Sequence, residues 1–416
     1  MRSTKLGTVA AATLLASALA LTACGGPGTS APAPGTTGGD GGAGAVTLEV
    51  WDYLGQGSSD TAMKAVVDAF EAKNTDITVN RTSFAFADLG KSIVQGGIGG
   101  QVPDVAIVDV VDTQSFASLG LLQDVTDSMG SKESEFYPGP WSSTQVDGKT
   151  WGLPLNSNNL ALYYNKDMFD AAGATVPTTW DELRATAKQL TTGDHVGIAM
   201  SAVKSEQGTF QFLPFLWQTG GDLDTYATDG ATALAYLKGL MDDGSMSKSV
   251  ANYTQEDART QFVTGKSAMM INGPWELANL KEAGINFGVA TLPKYKVAAT
   301  GLGGENVVTF AGAKNAEAAS KFLEFITSAE GATIYCNESG QLSARPDLAG
   351  KLDSSADPNM QVFEGQMADA RARAFGGNYA EISTAVQESL QKVLTGAATP
   401  EQAATDAAAV ITPKLG

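Results

Sequence analysis

The sequence predicts an α/β fold in which parallel or mixed β-sheets are flanked by helices. Strand-like and helix-like segments alternate in the order β-α-β-α-β between residues 46 and 109, which favours strands joined by helical crossovers. Residues 46–416 contain no linker-like break in composition, yet they are too many for one compact core. Two lobes that the chain crosses several times would explain both observations.

The first strands and helices are predicted from the spacing of apolar residues. Alternating side chains predict a strand at residues 46–51, and a second strand is predicted at residues 77–80. Residues 60–73 place their apolar side chains on one face, as an amphipathic helix does, and residues 88–98 show a weaker helical pattern. The apolar run within residues 103–109 predicts a buried strand.

Several later helices carry start signals. Thr179 and Glu182 have the spacing of a capping box, in which each side chain bonds the other residue's backbone N–H. Thr399 precedes a proline at the first helical position. Apolar stripes predict helices at residues 314–328 and 379–394.

The first 45 residues predict export and attachment to a membrane. An uncharged apolar run at residues 6–21 follows two cations and is too short for a dependable transmembrane helix, so residues 1–23 are typical of a signal peptide. The sequence Leu-Thr-Ala-Cys ending at Cys24 resembles the bacterial lipobox, whose cysteine takes a diacylglycerol. Two acyl chains of palmitate length anchor a protein stably. An ordinary secreted protein is the alternative. Residues 24–45, rich in Gly, Ser, Thr and Pro, predict a lipidated, disordered tether with a reach of roughly 25 Å.

Charge and cysteine content narrow the possible partners. The formal charge is −18, and removal of Arg2 and Lys5 with the signal peptide makes it −18 − 2 = −20. Such an acidic surface repels phosphate backbones, so we expect no nucleic-acid partner. The chain has two cysteines, and acylation of Cys24 would leave Cys336 without a disulfide partner. We expect Cys336 to be a buried, inert thiol.

The sequence offers little material for catalysis or metal binding. His195 is the single histidine, so the chain has few of the side chains that bind zinc and copper in proteins. The glycine-rich residues 96–100 are followed by Pro103 rather than by a helix start, which indicates a flexible loop and no phosphate site. We therefore expect no enzyme, no cofactor and no metal. A glycosidase with paired carboxylates remains a weaker alternative.

A series of segments resembles one protein family. Residues 151–169 contain W-G-L-P-L followed by L-A-L-Y-Y-N-K-D-M-F, and residues 177–183 are P-T-T-W-D-E-L. Further matching segments follow in the same order at residues 217–221, 273–276, 287–293 and 321–326. Together they resemble the extracellular solute-binding proteins of family 1, the sugar-binding subunits of ABC importers. The resemblance covers nearly all of residues 46–416.

The resemblance implies a two-lobed periplasmic-binding-protein-like fold of type II, with the ligand cleft at the hinge. It implies lobe one at residues 46–155 plus 302–350 and lobe two at residues 156–301 plus 351–416. A sugar, expected to be a di- or oligosaccharide, would be captured between the lobes and delivered to permease subunits and their ATPase. We expect a monomer at the outer face of the cell membrane, held there only by its lipid.

Other solutes remain open for the same fold. A polyol, a polyamine or an organophosphate would each need a different site. A polyamine requires several carboxylates beside aromatic rings, and a phosphate requires arginines or helix N-termini. The predicted cleft residues are mixed and mainly uncharged, which favours a sugar.

The resemblance implies aromatic residues that stack on sugar rings. Trp275 follows a Gly-Pro turn that would push its ring outward, and it is the leading candidate. Tyr379 opens the late helix at a position where the family often has a second stacking ring. Trp217 and Phe210 lie in one aromatic stretch. Packing in the core is the alternative for Tyr379, Trp217 and Phe210.

Polar candidates are expected to bind hydroxyl groups. Asn158 lies in the predicted crossover between lobes, and Gln56 follows the first strand. Asp112 follows the buried strand at a family cleft position, with helix capping as its alternative. Gly304 would let the backbone approach a ligand closely, and Glu305 could reach it.

Two features stand apart from this pattern. Many relatives place an aromatic residue directly after the strand at residues 103–109, where this chain has Val110 and Val111, so one stacking wall is missing or comes from elsewhere. Arg371 and Arg373 precede the late helix. We expect them to pair with acidic neighbours at the surface, and the alternative is that one of them faces the cleft.

Overall fold

The structure is a computed structural model that describes residues 45–415. The predicted signal peptide, the acylation of Cys24 and nearly all of the predicted tether lie outside these described residues. Among the described helices, none is both long and apolar enough to cross a membrane.

The described residues form fifteen strands and sixteen α-helices, joined by turns, short 3₁₀-helices and a π-helix at Tyr226–Gly230. The strands are β1 (Val46–Asp52), β2 (Ile77–Ser83), β3 (Val105–Asp109), β4 (Gln145–Val146), β5 (Lys149–Thr150), β6 (Leu153–Pro154), β7 (Asn156–Ser157), β8 (Ala161–Asn165), β9 (Val196–Ala199), β10 (Ser267–Asn272), β11 (Phe287–Ala290), β12 (Thr300–Gly301), β13 (Glu305–Thr309), β14 (Leu342–Ser343) and β15 (Ala370–Arg371). The α-helices are α1 (Gly57–Lys73), α2 (Phe86–Gly99), α3 (Asp112–Ser118), α4 (Thr126–Met129), α5 (Pro138–Ser142), α6 (Lys166–Ala172), α7 (Trp180–Leu190), α8 (Glu206–Gln218), α9 (Ala231–Asp242), α10 (Gln255–Val263), α11 (Leu277–Glu282), α12 (Ala316–Thr327), α13 (Ala329–Ser339), α14 (Pro358–Gln366), α15 (Tyr379–Leu394) and α16 (Pro400–Ile411).

The first sheet, called sheet one, contains five strands in the order β2-β1-β3-β13-β6. Strand β1 runs parallel to β2 and β3, whereas β13 runs antiparallel to β3 and β6. In the β13–β3 ladder, Glu305 lies directly opposite Asp109. Directly opposed residues of an antiparallel pair point to the same face of the sheet, so these two carboxylates are close neighbours.

The second sheet, called sheet two, contains four strands in the order β11-β8-β10-β9. Strand β10 is parallel to β9 and antiparallel to β8. The strands of sheet one all fall in the residues predicted for lobe one, and those of sheet two fall in the residues predicted for lobe two. The exact lobe boundaries stay a prediction.

Short pairings join the segments that run between the two sheets. Strand β12 pairs with β15, β14 pairs with β7, and Asn158 forms a bridge with Gly303. The chain therefore passes between the sheets more than once, and its crossing segments are bonded to one another beside the carboxyl ends of the strands.

The helices that the sequence predicted are present as α1, α2, α7, α12, α15 and α16. The capping box is present, because Thr179 Oγ1 accepts a hydrogen bond from the Glu182 backbone at 3.3 Å while the Glu182 carboxylate accepts from the Thr179 backbone. Helix α15 has the predicted bounds. The thiol of Cys336 is fully buried in α13, and this burial raises its pKa, which keeps it protonated.

The predicted loop at residues 96–100 is wrong. Helix α2 continues to Gly99 and ends with Gly100 in the left-handed conformation at φ 65°. Two of these glycines allow close packing, since an added Cβ atom would lie 2.5 Å from the Gln101 carbonyl oxygen at Gly96 and 2.4 Å from the Leu121 side chain at Gly97. The aromatic stretch around Phe210 belongs to helix α8, whose residues are all buried after its first.

Candidate functional site

The candidate site lies where strand ends from both sheets meet the crossing segments. In sheet one, β1 and β3 end at Asp52 and Asp109, and β13 begins beside them at Glu305. In sheet two, β9 and β10 end at Ala199 and Asn272. Ligands of open α/β sheets bind outside the carboxyl ends of the strands, so this region is where a solute is expected.

Glu305 is buried at the start of β13, with 6% of its surface exposed. Its Oε1 accepts a hydrogen bond from the Tyr53 hydroxyl at 2.9 Å, and its backbone N–H donates to Asn156 Oδ1 at 2.7 Å. Its buried Oε2 has no hydrogen-bond partner among the described residues. Burial, followed by the charge of Asp109, raises the pKa of Glu305 to about 7, although Tyr53 and Asn156 beside it act in the opposite direction.

Arg373 is 1% exposed, which corrects the expectation of a surface arginine. Its guanidinium donates to Asp109 at 3.0 Å and also pairs with Glu206, the first residue of α8. The guanidinium lies over the Phe210 ring, 4.2 Å from its centroid. The reason for the correction is physical: a buried arginine needs carboxylate partners, and both partners come from strand and helix ends distant in sequence.

Tyr379 is buried and its hydroxyl donates to Glu206 at 2.6 Å. Ser383, one helical turn later, donates to the other carboxylate oxygen of Glu206. The Tyr379 ring stacks on Phe375 with centroids 6.1 Å apart. These contacts place Tyr379 in the site, where its polar end helps to hold Glu206.

Asp112 is half-buried at the first position of α3, and its side chain does not cap that helix. None of the described residues donates a hydrogen bond to its carboxylate. Burial raises the pKa of Asp112 well above its usual range, and the charges of Asp109 and Glu206 add to this effect. The capping alternative is therefore not what the structure shows, and the carboxylate is free for a ligand.

Trp275 is half-buried in a turn of 3₁₀-helix that follows β10. The next residue, Glu276, is buried and accepts hydrogen bonds from Asn272, Arg259 and Asn279. This buried hydrogen-bond network fixes the turn. The indole ring lies over Gly273 and packs against the apolar core around sheet two, and part of the residue's surface stays exposed.

Gln56 is exposed at the N-terminus of α1 and does not cap it. A Cβ atom at the neighbouring Gly57 would lie 3.2 Å from Asn279 Oδ1, and Asn279 donates to the Trp275 carbonyl at 3.3 Å. The loop of Gln56 therefore approaches the turn of Trp275, and the two candidates border the same opening.

Asn158 and Gly304 belong to the crossing segments. Asn158 is 4% exposed, and its buried Oδ1 has no partner among the described residues. Gly304 has φ 137°, and a Cβ atom there would lie 2.6 Å from the Asn156 carbonyl oxygen. The structure gives Gly304 a backbone role at this crossing.

Trp217 and Phe210 lie on the same buried helix but differ in surroundings. Trp217 is 0% exposed, and its indole N–H donates to Asp222 at 2.9 Å. It has no surface for a ligand in this conformation, which favours the core-packing alternative. Phe210 contacts Arg373 at the edge of the site.

Comparison with known proteins identifies the family. The model of the bacterial extracellular solute-binding proteins matches residues 65–362. The chain belongs to this family. A Brucella abortus relative named as a binding protein is 29% identical over 385 residues, which is 88% of this chain and 92% of that protein. The maltodextrin-binding protein MdxE of Bacillus subtilis is 25% identical over 382 residues, 84% of this chain and 86% of that one.

Solved structures of extracellular solute-binding proteins share the fold. One from Thermotoga lettingae, bound with alpha-D-tagatose, matches with a TM-score of 0.82 at 29% identity and covers 89% of this chain and 100% of that chain. Maltose-bound MalE3 of T. maritima matches with a TM-score of 0.81 at 27% identity, covering 88% and 99%. The predicted two-lobed α/β fold is confirmed.

The sequence prediction missed several residues of this solute-binding protein's site. Asp109, Glu206 and Arg373 form its central ion pairs, and Tyr53 and Asn156 contact Glu305. Asp109 and Glu206 could have been selected from the sequence, because Asp109 lies at the end of a strand and Glu206 lies at the start of a helix. The described residues contain no group of three or more His, Cys, Asp or Glu that could hold a metal ion.

Proposed function

We propose that the protein is the extracellular substrate-binding subunit of an ABC importer, and that it captures a di- or oligosaccharide. The observation that carries the proposal is the combination of a half-buried Trp275 beside the end of β10 with buried carboxylates and amides at the strand ends of both sheets. The relatives support it, since they are named for maltodextrin and maltooligosaccharides, and solved structures of the family hold tagatose and maltose.

The chemistry of these side chains suits a sugar. A saccharide ring presents apolar C–H groups that pack on the face of an indole such as Trp275. Its hydroxyls can form hydrogen bonds with the carboxyl group of Asp112, which the described residues leave unpaired, and can donate to the free Oδ1 of Asn158. Binding of this kind breaks no bond. The family and the relatives are binding proteins, so we propose that this chain is not an enzyme.

The proposal extends to the location of the protein. A signal peptide, acylation of Cys24 and a tether would place a monomer at the outer face of the cell membrane, beside its permease and ATPase. A related maltooligosaccharide-binding protein of Streptococcus pneumoniae is named as a lipoprotein. Anchoring would raise the effective concentration at which the loaded protein meets the transporter.

A thermal-shift screen against mono-, di- and oligosaccharides tests the proposal. A ligand at about 100 times its Kd stabilises the folded state by about 2.7 kcal/mol. With an unfolding entropy of roughly 0.8 kcal/mol/K for residues 45–415, the melting temperature should rise by about 3 °C. Trp275→Ala should abolish this rise.

The matched control is Trp151→Ala, because Trp151 is also half-buried, but its indole N–H donates to the Val146 carbonyl, and its ring packs against an apolar cluster of sheet one and beneath Lys149. This variant should keep the saccharide-dependent rise. If the melting temperature of Trp275→Ala rose as much as that of the wild-type protein, Trp275 would not be a ligand-binding residue. Release of shorter sugars from any oligosaccharide would show catalysis and contradict the binding role.

A further inference from the structure

The charges of the site are unbalanced. Four carboxylates, called here the cleft acids, lie together: Asp109, Asp112, Glu206 and Glu305. Arg373 is the one ion-pair partner that the described residues offer them. With every group ionised, the sum would be −4 + 1 = −3. Burial and this excess of negative charge raise the pKa values of Asp112, Glu206 and Glu305, which reflects how unfavourable the charge is without a further cation.

Arg373 is already fully engaged. Its guanidinium pairs with Asp109 and Glu206 and lies against the Phe210 ring. Asp112 and Glu305 make no ion pair within residues 45–415, and Glu305 Oε2 accepts no hydrogen bond although it is buried. Two carboxylates of the group are therefore left for something that the described chain does not supply.

A second observation points to a missing donor at the same place. Asn158 Oδ1 is a buried acceptor without a partner, and it packs against Gly303, two residues before Glu305. Asn156 Nδ2 is a buried donor that also lacks a partner among the described residues, so it does not satisfy Glu305 Oε2. Two buried acceptors, Asn158 Oδ1 and Glu305 Oε2, therefore lack donors beside the 303–305 segment, and one buried donor lacks an acceptor.

A neutral sugar would supply hydrogen-bond donors to these acceptors but no positive charge. Hydroxyl groups can donate hydrogen bonds to Asp112 and Glu305, but they leave the negative charge uncompensated in a site that binding dries further. An ammonium group donates three hydrogen bonds and also cancels one charge. We infer that the saccharide of the proposed function carries a protonated amine, placed against Glu305 with Asp112 as the second acid. This inference rests on the proposed function and names its substrate class.

Isothermal titration of the mature protein with matched sugars tests the inference. The monosaccharide pairs, glucosamine with glucose and galactosamine with galactose, differ by one amine in place of a hydroxyl. The β-1,4-linked disaccharides of glucosamine and of glucose differ by one such amine in each ring. At about pH 7 the amine is largely protonated. In at least one pair the amino sugar should bind about 10- to 100-fold more tightly, as expected for one charge-assisted contact.

Variants locate the contact. Glu305→Gln keeps an acceptor for Tyr53 but removes the charge, and it should reduce the preference for the amino sugar about 10-fold while changing the affinity for the neutral sugar much less. Glu317→Gln removes the same charge from the exposed face of α12 and should leave the preference intact. An unchanged preference in Glu305→Gln would overturn the assignment to Glu305.

The outcomes separate the two proposals. Binding of neutral saccharides with no gain from the amine would overturn the inference and leave the proposed function standing. Binding of spermidine with no saccharide bound at all would overturn both, as would a complete absence of saccharide binding. N-acetylation of the preferred amino sugar removes its charge and should abolish the gain; a retained gain would also overturn the inference.

Discussion

The buried carboxyl of Glu305 should make the stability of the protein fall as the pH rises. Its pKa is raised from 4.5 to about 7 by burial and by Asp109. Below about pH 4.5 the group is protonated in both the folded and unfolded states. Between about pH 4.5 and 7 the unfolded chain releases this proton while the folded protein retains it, so the free energy of unfolding decreases.

The size of the effect follows from the pKa difference of 7 − 4.5, about 2.5. At about 1.4 kcal/mol for each pKa unit, the loss is about 3 kcal/mol, complete by about pH 7. With the unfolding entropy of roughly 0.8 kcal/mol/K given above, it corresponds to about 4 °C in melting temperature. Glu305→Gln cannot ionise, so this variant should lack the loss.

Denaturant unfolding between about pH 4 and pH 8 measures the difference directly. Relative to Glu305→Gln, the wild-type protein should lose about 3 kcal/mol across this range, because other titrating groups cancel in the comparison. Glu317→Gln should follow the wild-type profile, since Glu317 is an exposed residue paired with Lys321. Parallel profiles for the wild type and Glu305→Gln would refute the claim that this carboxyl is buried without a charge partner.

Three further substitutions test the crossing segments and the helix caps by thermal unfolding. Arg373→Met should lower the free energy of unfolding by about 3–5 kcal/mol, or the melting temperature by about 4–6 °C, because it leaves two carboxylates without their cation. The half-buried Arg371 makes no ion pair among the described residues, so it should tolerate the same change. Equal losses of stability in the two variants would contradict the assignment. Gly304→Ala should lower the free energy of unfolding by at least about 1–3 kcal/mol, because φ 137° is strained for alanine and its Cβ atom would meet a backbone oxygen. Gly365→Ala in α14 has open space around the new methyl group and should be neutral or stabilising. An unchanged stability of Gly304→Ala would refute the role of this φ angle. Thr179→Ala should cost about 1 kcal/mol through the lost cap and leave any saccharide-dependent shift unchanged; a change in that shift would show an unexpected link to the site.

Helices with local start and stop signals could be predicted closely from the sequence. The caps at Thr179 and Thr399 and the bounds of α15 depend on side chains within a few residues of each helix end. The glycines at residues 96–100 misled the prediction, because the packing of Gly97 against Leu121 is a contact that the local sequence does not contain. Helix α8 showed no useful periodicity, because both of its faces are buried.

The site was harder to predict than the fold. Trp275 and Glu305 could be selected from motifs, and the structure places both beside strand ends. The ion pairs of Arg373 join residues more than 160 positions apart, so composition and spacing could not reveal that this arginine is buried. The charge imbalance of the cleft acids appears only when these distant segments come together.

The most direct test of the saccharide-binding role is isothermal titration calorimetry of the mature protein with the sugar that gives the largest thermal shift. The account predicts saturable binding of one sugar for each protein molecule, with the sugar recovered intact. It also predicts that Trp275→Ala loses this binding and that Trp151→Ala keeps it. Absence of saturable binding by any saccharide in the panel, or equal binding by both tryptophan variants, would contradict it.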